Sequence, residues 1–124
     1  MSLFGKIFGK SENENREELF WKPLTSEEEL AEAVKRSFEK KVVLFKHSTR
    51  CIISRTVLKN FERSVEASMP DAEFYFLDLL QFRNISNKIA DDFGIMHQSP
   101  QLIVLENGIA TADASHDRIS VELI

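Results

Sequence analysis

The chain has 124 residues, 43% hydrophobic and 29% charged, enough for one compact core and too few for two ordinary domains. Its formal net charge is −4 and no basic cluster stands out, which argues against a nucleic-acid partner. Apolar runs such as Phe74-Tyr75-Phe76-Leu77 are stopped within a few residues by a charge, here Asp78, far short of the roughly 20 residues that span a bilayer.

Residues 1–18 read as a flexible tail and residues 19–124 as the folded domain. Leu3, Phe4, Ile7 and Phe8 would form one sticky turn, followed by a polar stretch from Ser11 to Glu18. Gly5, Lys6, Gly9 and Lys10 interrupt the apolar residues, so no secretory leader is expected. A single cysteine forms no internal disulfide, and the expected compartment is the cytoplasm.

Leu19 to Leu24 suits a short first strand. Thr25-Ser26-Glu27-Glu28 matches a capping box, a hydroxyl followed three residues later by a carboxylate. Leu30, Val34 and Phe38 then recur every four residues, predicting a helix to about Lys40. Val42-Val43-Leu44-Phe45 has the β-branched and aromatic character of a buried strand. After the Ser48-Thr49-Arg50 turn, Ile53, Val57, Phe61 and Val65 predict a second helix from about Arg50 to Ala67, closed by Pro70.

Glu73 to Leu79 reads as another buried strand. A third helix spans about Asn84 to Phe93, with Gly94 at its C-terminal end. Leu102–Leu105 and Ile109–Ala112 flank Asn107-Gly108, a strong hairpin signal because both turn residues tolerate positive φ. A last helix is expected over about Ser115 to Leu123. The order β-α-β-α-β-α-β-β-α implies an α/β fold. It is a thioredoxin-like mixed β-sheet flanked by helices on both faces, with a C-terminal β-hairpin and helix.

The lone cysteine falls at an informative place in that scheme. Cys51 follows a buried strand and a polar turn, and it opens an amphipathic helix. Loose N–H groups and the helix dipole favour a thiolate at such a position. Arg50 adds a neighbouring positive charge, and the Ser54 hydroxyl, one turn on, is expected to hydrogen-bond the sulfur. Cys51-Ile52-Ile53-Ser54 is a CxxS motif whose serine cannot resolve a mixed disulfide, so the chemistry is monothiol exchange with an external thiol. In His97-Gln98-Ser99-Pro100-Gln101, the proline precedes the hairpin strand and faces the cysteine in this topology. Its backbone could hold a substrate as an added strand. His47, His97 and His116 are scattered without zinc-ligand spacing, so no metal site is expected.

Phe45 to Ser54, together with His97-Gln98-Ser99-Pro100-Gln101, resembles the YtxJ family of monothiol bacilliredoxin-like proteins, and the likeness runs from about Trp21 onward. The resemblance implies that Cys51 is the redox-active residue, the attacking thiolate, with Arg50 and Ser54 beside it. It also implies that Ser99-Pro100 is the cis-proline loop, and Thr49, Ser99 and Pro100 are the expected substrate-binding residues. The implied substrates are mixed disulfides between proteins and the low-molecular-weight thiol bacillithiol, which would serve as co-substrate, with no bound cofactor. The family usually carries proline directly after the cysteine, where this chain has Ile52. A second reading keeps the fold but makes the chain a non-catalytic binding or stress module with an inert or merely modified cysteine.

Overall fold

The computed structural model describes residues 19–124; the expected tail at 1–18, including Leu3, Phe4, Ile7 and Phe8, lies outside them. Strand β1 (Trp21–Pro23) leads through helix α1 (Glu27–Arg36) to β2 (Lys41–His47), helix α2 (Ile52–Ser68) and β3 (Ala72–Asp78). Helix α3 (Arg83–Phe93) then precedes the hairpin strands β4 (Gln101–Glu106) and β5 (Ile109–Ser115). The sheet order is β1-β3-β2-β4-β5. β1, β3 and β2 run parallel, whereas β4 is antiparallel to both β2 and β5.

Strand alternation divides the core into two layers. Val42 and Leu44 join Tyr75, Leu77, Ile103 and Leu105 beneath Leu30 and Ala33 of α1 and Ile85 and Ile89 of α3. On the other face, Val43 and Phe45 pack with Trp21, Phe74, Phe76, Leu102 and Val104 under Leu58, Phe61 and Val65 of α2. The phenylalanines therefore concentrate in one aromatic layer centred on Trp21, whose indole N–H donates to Glu62 Oε2 at 2.7 Å.

The N-terminal cap of α1 is set one residue later than its first sequence match. Ser26 is the capping residue, its hydroxyl accepting from Glu29 N at 3.1 Å. The Glu29 carboxylate reaches back to Thr25 N and Thr25 Oγ1 at 2.6 and 2.7 Å. Because α1 ends at Arg36, Phe38 leaves the expected stripe and lies exposed over the hairpin turn. That turn is clasped by Ser37, which accepts Asn107 N through its carbonyl and Gly108 N through its hydroxyl. Asn107 and Gly108 both have positive φ, as a tight hairpin of right-handed twist requires.

The expected C-terminal helix is corrected to two single 3₁₀ turns, His116–Arg118 and Val121–Leu123. Ile119 and Ser120 between them are extended, and His116 enters with φ +56°. Ile119, Val121 and Leu123 all pack against the aromatic layer. The extended residues Ile119 and Ser120 break the segment, so both turns follow the aromatic layer and no continuous helix forms.

Candidate functional site

Antiparallel pairing of β2 with β4 brings the two predicted motifs to one end of the sheet. Lys46 is opposite Gln101, so the Ser48–Cys51 turn leaving β2 and the Met96–Pro100 loop entering β4 share that end. The Ser99–Pro100 peptide is cis. Pro100 is buried, and its carbonyl accepts from His116 N at 3.2 Å, which ties the end of β5 to the same loop.

Cys51 is the N-cap residue of α2 and is partly exposed. Its N–H donates to Ser48 O at 3.2 Å, and its carbonyl accepts the first helical bond from Arg55 N at 3.1 Å. The amides of the first turn thus precede any intrahelical acceptor, and that turn holds no acidic residue to offset the positive end of the dipole. Such a helix start favours an anion beside it. Thr49 is half-buried and Arg50 exposed in the turn just before the cysteine. Ile52 is 73% and Ile53 59% exposed at the start of α2, and Met96, in the loop at the same sheet end, is 80% exposed.

The buried face of α2 runs through Ser54, Leu58, Phe61 and Val65, which turns Ile53 outward instead of into the expected stripe. Ser54 is fully buried, and the bonds its hydroxyl makes differ from the expected one to sulfur. It accepts from Ser48 N at 3.1 Å and shares a 2.8 Å hydrogen bond with His47 Nδ1. The serine of the CxxS motif therefore pins the turn that presents Cys51. Ser54→Ala deprives the buried Ser48 amide of that acceptor, and the expected destabilisation is about 1–3 kcal/mol, measurable by denaturant unfolding.

A polar cluster that the sequence reading did not assemble lies on the opposite sheet face. Lys46 is fully buried, and its ammonium donates to Ser86 O of α3 at 3.0 Å and lies 3.4 Å from His97 Nδ1. Ser86 Oγ is 3.2 Å from the same ring nitrogen. Gln101, also buried, donates from its amide to Met96 O at 3.0 Å and accepts from Gln98 N at 3.3 Å. The one available signal was a Lys-His pair ending an otherwise apolar strand. Which partners they meet depends on register with distant segments. Ser99 Oγ, next to the cis bond, is buried and has no hydrogen-bond partner among the described residues.

Burial pushes the Lys46 amine down to about 8 from 10.5. It also holds His97 below the usual histidine range, assisted by the positive charges of Lys46 and Arg83. The Lys46 effect has a definite sign. Between about 8 and 10.5 the unfolded chain binds that proton more readily than the folded one, so raising the pH through this window stabilises the fold. The difference in unfolding free energy between wild type and Lys46→Met should shift toward wild type over that interval and stay flat below it.

The family described as monothiol bacilliredoxin BrxC matches residues 22–124. Among solved structures, an oxidoreductase described as having a thioredoxin fold superposes with a TM-score of 0.73 at 27% identity, covering 83% of this chain and 88% of the other. Thioredoxin from Fasciola hepatica gives a TM-score of 0.63 at 16% identity, with 77% and 86% of the two chains covered. Mitochondrial thioredoxin 3 from Saccharomyces cerevisiae gives 0.64 at 17%, with 77% and 83% covered. These two share the fold, and no helix among the described residues is long and apolar enough to cross a membrane. With the family matched from β1 to the final residue, the chain belongs to the monothiol bacilliredoxins, on a thioredoxin-like α/β fold.

Proposed function

We propose that this protein removes bacillithiol from mixed disulfides with protein cysteines in the cytoplasm, using Cys51 as the attacking thiolate. The observation that carries this reading is the placement of a half-exposed Cys51 at an uncapped helix start, at the same sheet end as the cis Ser99–Pro100 loop. A second cysteine is absent from the chain, and the buried Ser54 occupies the place of a resolving thiol.

The exchange proceeds in two displacements. The Cys51 thiolate attacks the bacillithiol sulfur of the mixed disulfide, a new S–S bond forms, and the target cysteine leaves as a thiolate that takes a proton from solvent. A second low-molecular-weight thiol, as thiolate, then attacks the adduct, releasing the small-molecule disulfide and regenerating the Cys51 thiolate. Ser99, Pro100 and Thr49 are the groups proposed to receive the substrate backbone, and the unpartnered Ser99 hydroxyl leaves a polar group to spare there. The exposed Ile52, Ile53 and Met96 give this end of the sheet apolar surface, which suits a protein target better than a small thiol alone.

Intact-mass analysis of the protein from oxidant-stressed, bacillithiol-producing cells tests the reading. The expected species carries one adduct of bacillithiol mass, mapped to Cys51 by peptide sequencing. A protein found only unmodified, or only as an irreversible sulfur acid, under stress that bacillithiolates other proteins would overturn it.

A further inference from the structure

We propose that Lys46 and His97 act together as positioning residues that hold the Met96–Pro100 loop ready for the disulfide substrate, an inference that rests on the exchange reading above. Lys46 is flanked on its own face of β2 by Val42 and Leu44, both core residues, so an aliphatic side chain would suit the position without the cost of burying an amine. Its bond to Ser86 O does not explain the charge, since a mid-helix carbonyl has a partner four residues on. The contact left to explain the ammonium is the one to His97.

An ammonium only donates, so the ring nitrogen it faces is an acceptor. The Ser86 hydroxyl approaches the same nitrogen, and His97 is then neutral with its proton on Nε2. On either side of His97, the Gln101 amide fastens Met96 O and Gln98 N. Because Gln101 pairs with Lys46 across β2 and β4, both holds on the loop issue from one rung of the sheet. The charged groups acting on the His97 ring are Lys46 from β2 and Arg83 from the start of α3, both positive, and they reinforce the neutral form. The lowered proton affinity of both Lys46 and His97 agrees with this arrangement.

Positioning and plain stability separate cleanly here, because Lys46→Met removes a buried amine while His97 Nδ1 retains the Ser86 hydroxyl. The test compares wild type, Lys46→Met, His97→Leu, His97→Asn and the Lys46→Met/His97→Leu pair. The readouts are thermal unfolding, amide hydrogen exchange, and KM and kcat on a bacillithiolated test protein. Lys46→Met is expected to unfold no earlier than wild type, yet to exchange the His97, Gln98 and Ser99 amides about tenfold faster, with the core strands unchanged. Its KM should rise by about the same factor, with the effect on KM and little on kcat. His97→Leu should match it, the double variant should be no worse than either single one, and His97→Asn, which offers an oxygen near the Nδ1 position, should recover most of the loss.

Wild-type loop exchange in Lys46→Met, or acceleration spread evenly over all strands, would overturn the proposal. Wild-type protein that moves no bacillithiol removes the exchange reading instead, and the loop-amide comparison then decides the positioning role alone.

Discussion

Replacing Cys51 by serine is expected to reduce the release of bacillithiol from a mixed-disulfide protein to the uncatalysed background. Thiol–disulfide exchange needs a sulfur nucleophile that is also a competent leaving group, and a serine hydroxyl is neither at neutral pH. The chain has one cysteine, so no neighbouring thiol can take over. The substitution exchanges sulfur for oxygen at a partly exposed cap whose side chain makes no cap hydrogen bond. The folded structure should therefore be retained, with an unchanged unfolding midpoint and circular dichroism. Following free bacillithiol by mass against time checks the result, and residual turnover comparable to wild type would remove Cys51 from the reaction.

The largest expected loss of stability comes from Trp21→Ala. Trp21 is buried at the short edge strand, with ring contacts to Phe20, Phe45, Phe61, Phe74 and Phe76. Truncation leaves a cavity the size of an indole between rigid rings on β2, β3 and α2, which have little room to collapse inward. It also deletes the 2.7 Å indole bond to the buried Glu62. The expected cost is about 3–5 kcal/mol, from lost transfer energy, the cavity and the loss of that bond. Trp21→Phe should recover much of the packing but not the hydrogen bond, and urea unfolding of the two variants gives the comparison.

Much of this fold could be read from local patterns because each pattern has a local cause. Val42 to Phe45 are all apolar, two of them β-branched and one aromatic, and they are buried because both sheet faces are covered. Asn107-Gly108 fixed the hairpin through positive φ alone. Gly94 ends α3 in the left-handed conformation for the same reason. The C-terminal segment is not legible locally, because four apolar residues in six positions fit a continuous helix as well as the broken 3₁₀ turns observed. The aromatic layer they pack on, which decides between the two, is assembled from distant strands.

The site was legible in outline and not in detail. Its cysteine, turn and proline sit at motif spacing, and their meeting at one sheet end follows from the order of elements. The partners of Ser54 depend on how the turn folds back over α2, which places His47 and the Ser48 amide closer to its hydroxyl than a helix projection suggests. Lys46, Ser86, His97 and Gln101 are drawn from β2, α3, the loop and β4, so their sequence neighbours carry no trace of the cluster. In isolation Lys46 reads as an ordinary surface charge, and it is buried by pairing with β3 and β4 on both sides together with the cover of α3 and the Met96–Pro100 loop.

The destination of the small thiol in a single turnover tests the exchange most directly. Reduced protein is mixed with an equal amount of a target carrying one bacillithiol, with no other thiol present, and the intact masses of both chains are followed in time. The adduct is expected to leave the target and appear on Cys51 mole for mole, then to disappear on addition of free bacillithiol. A target that keeps its adduct, or loses it while Cys51 stays unmodified throughout, would contradict it.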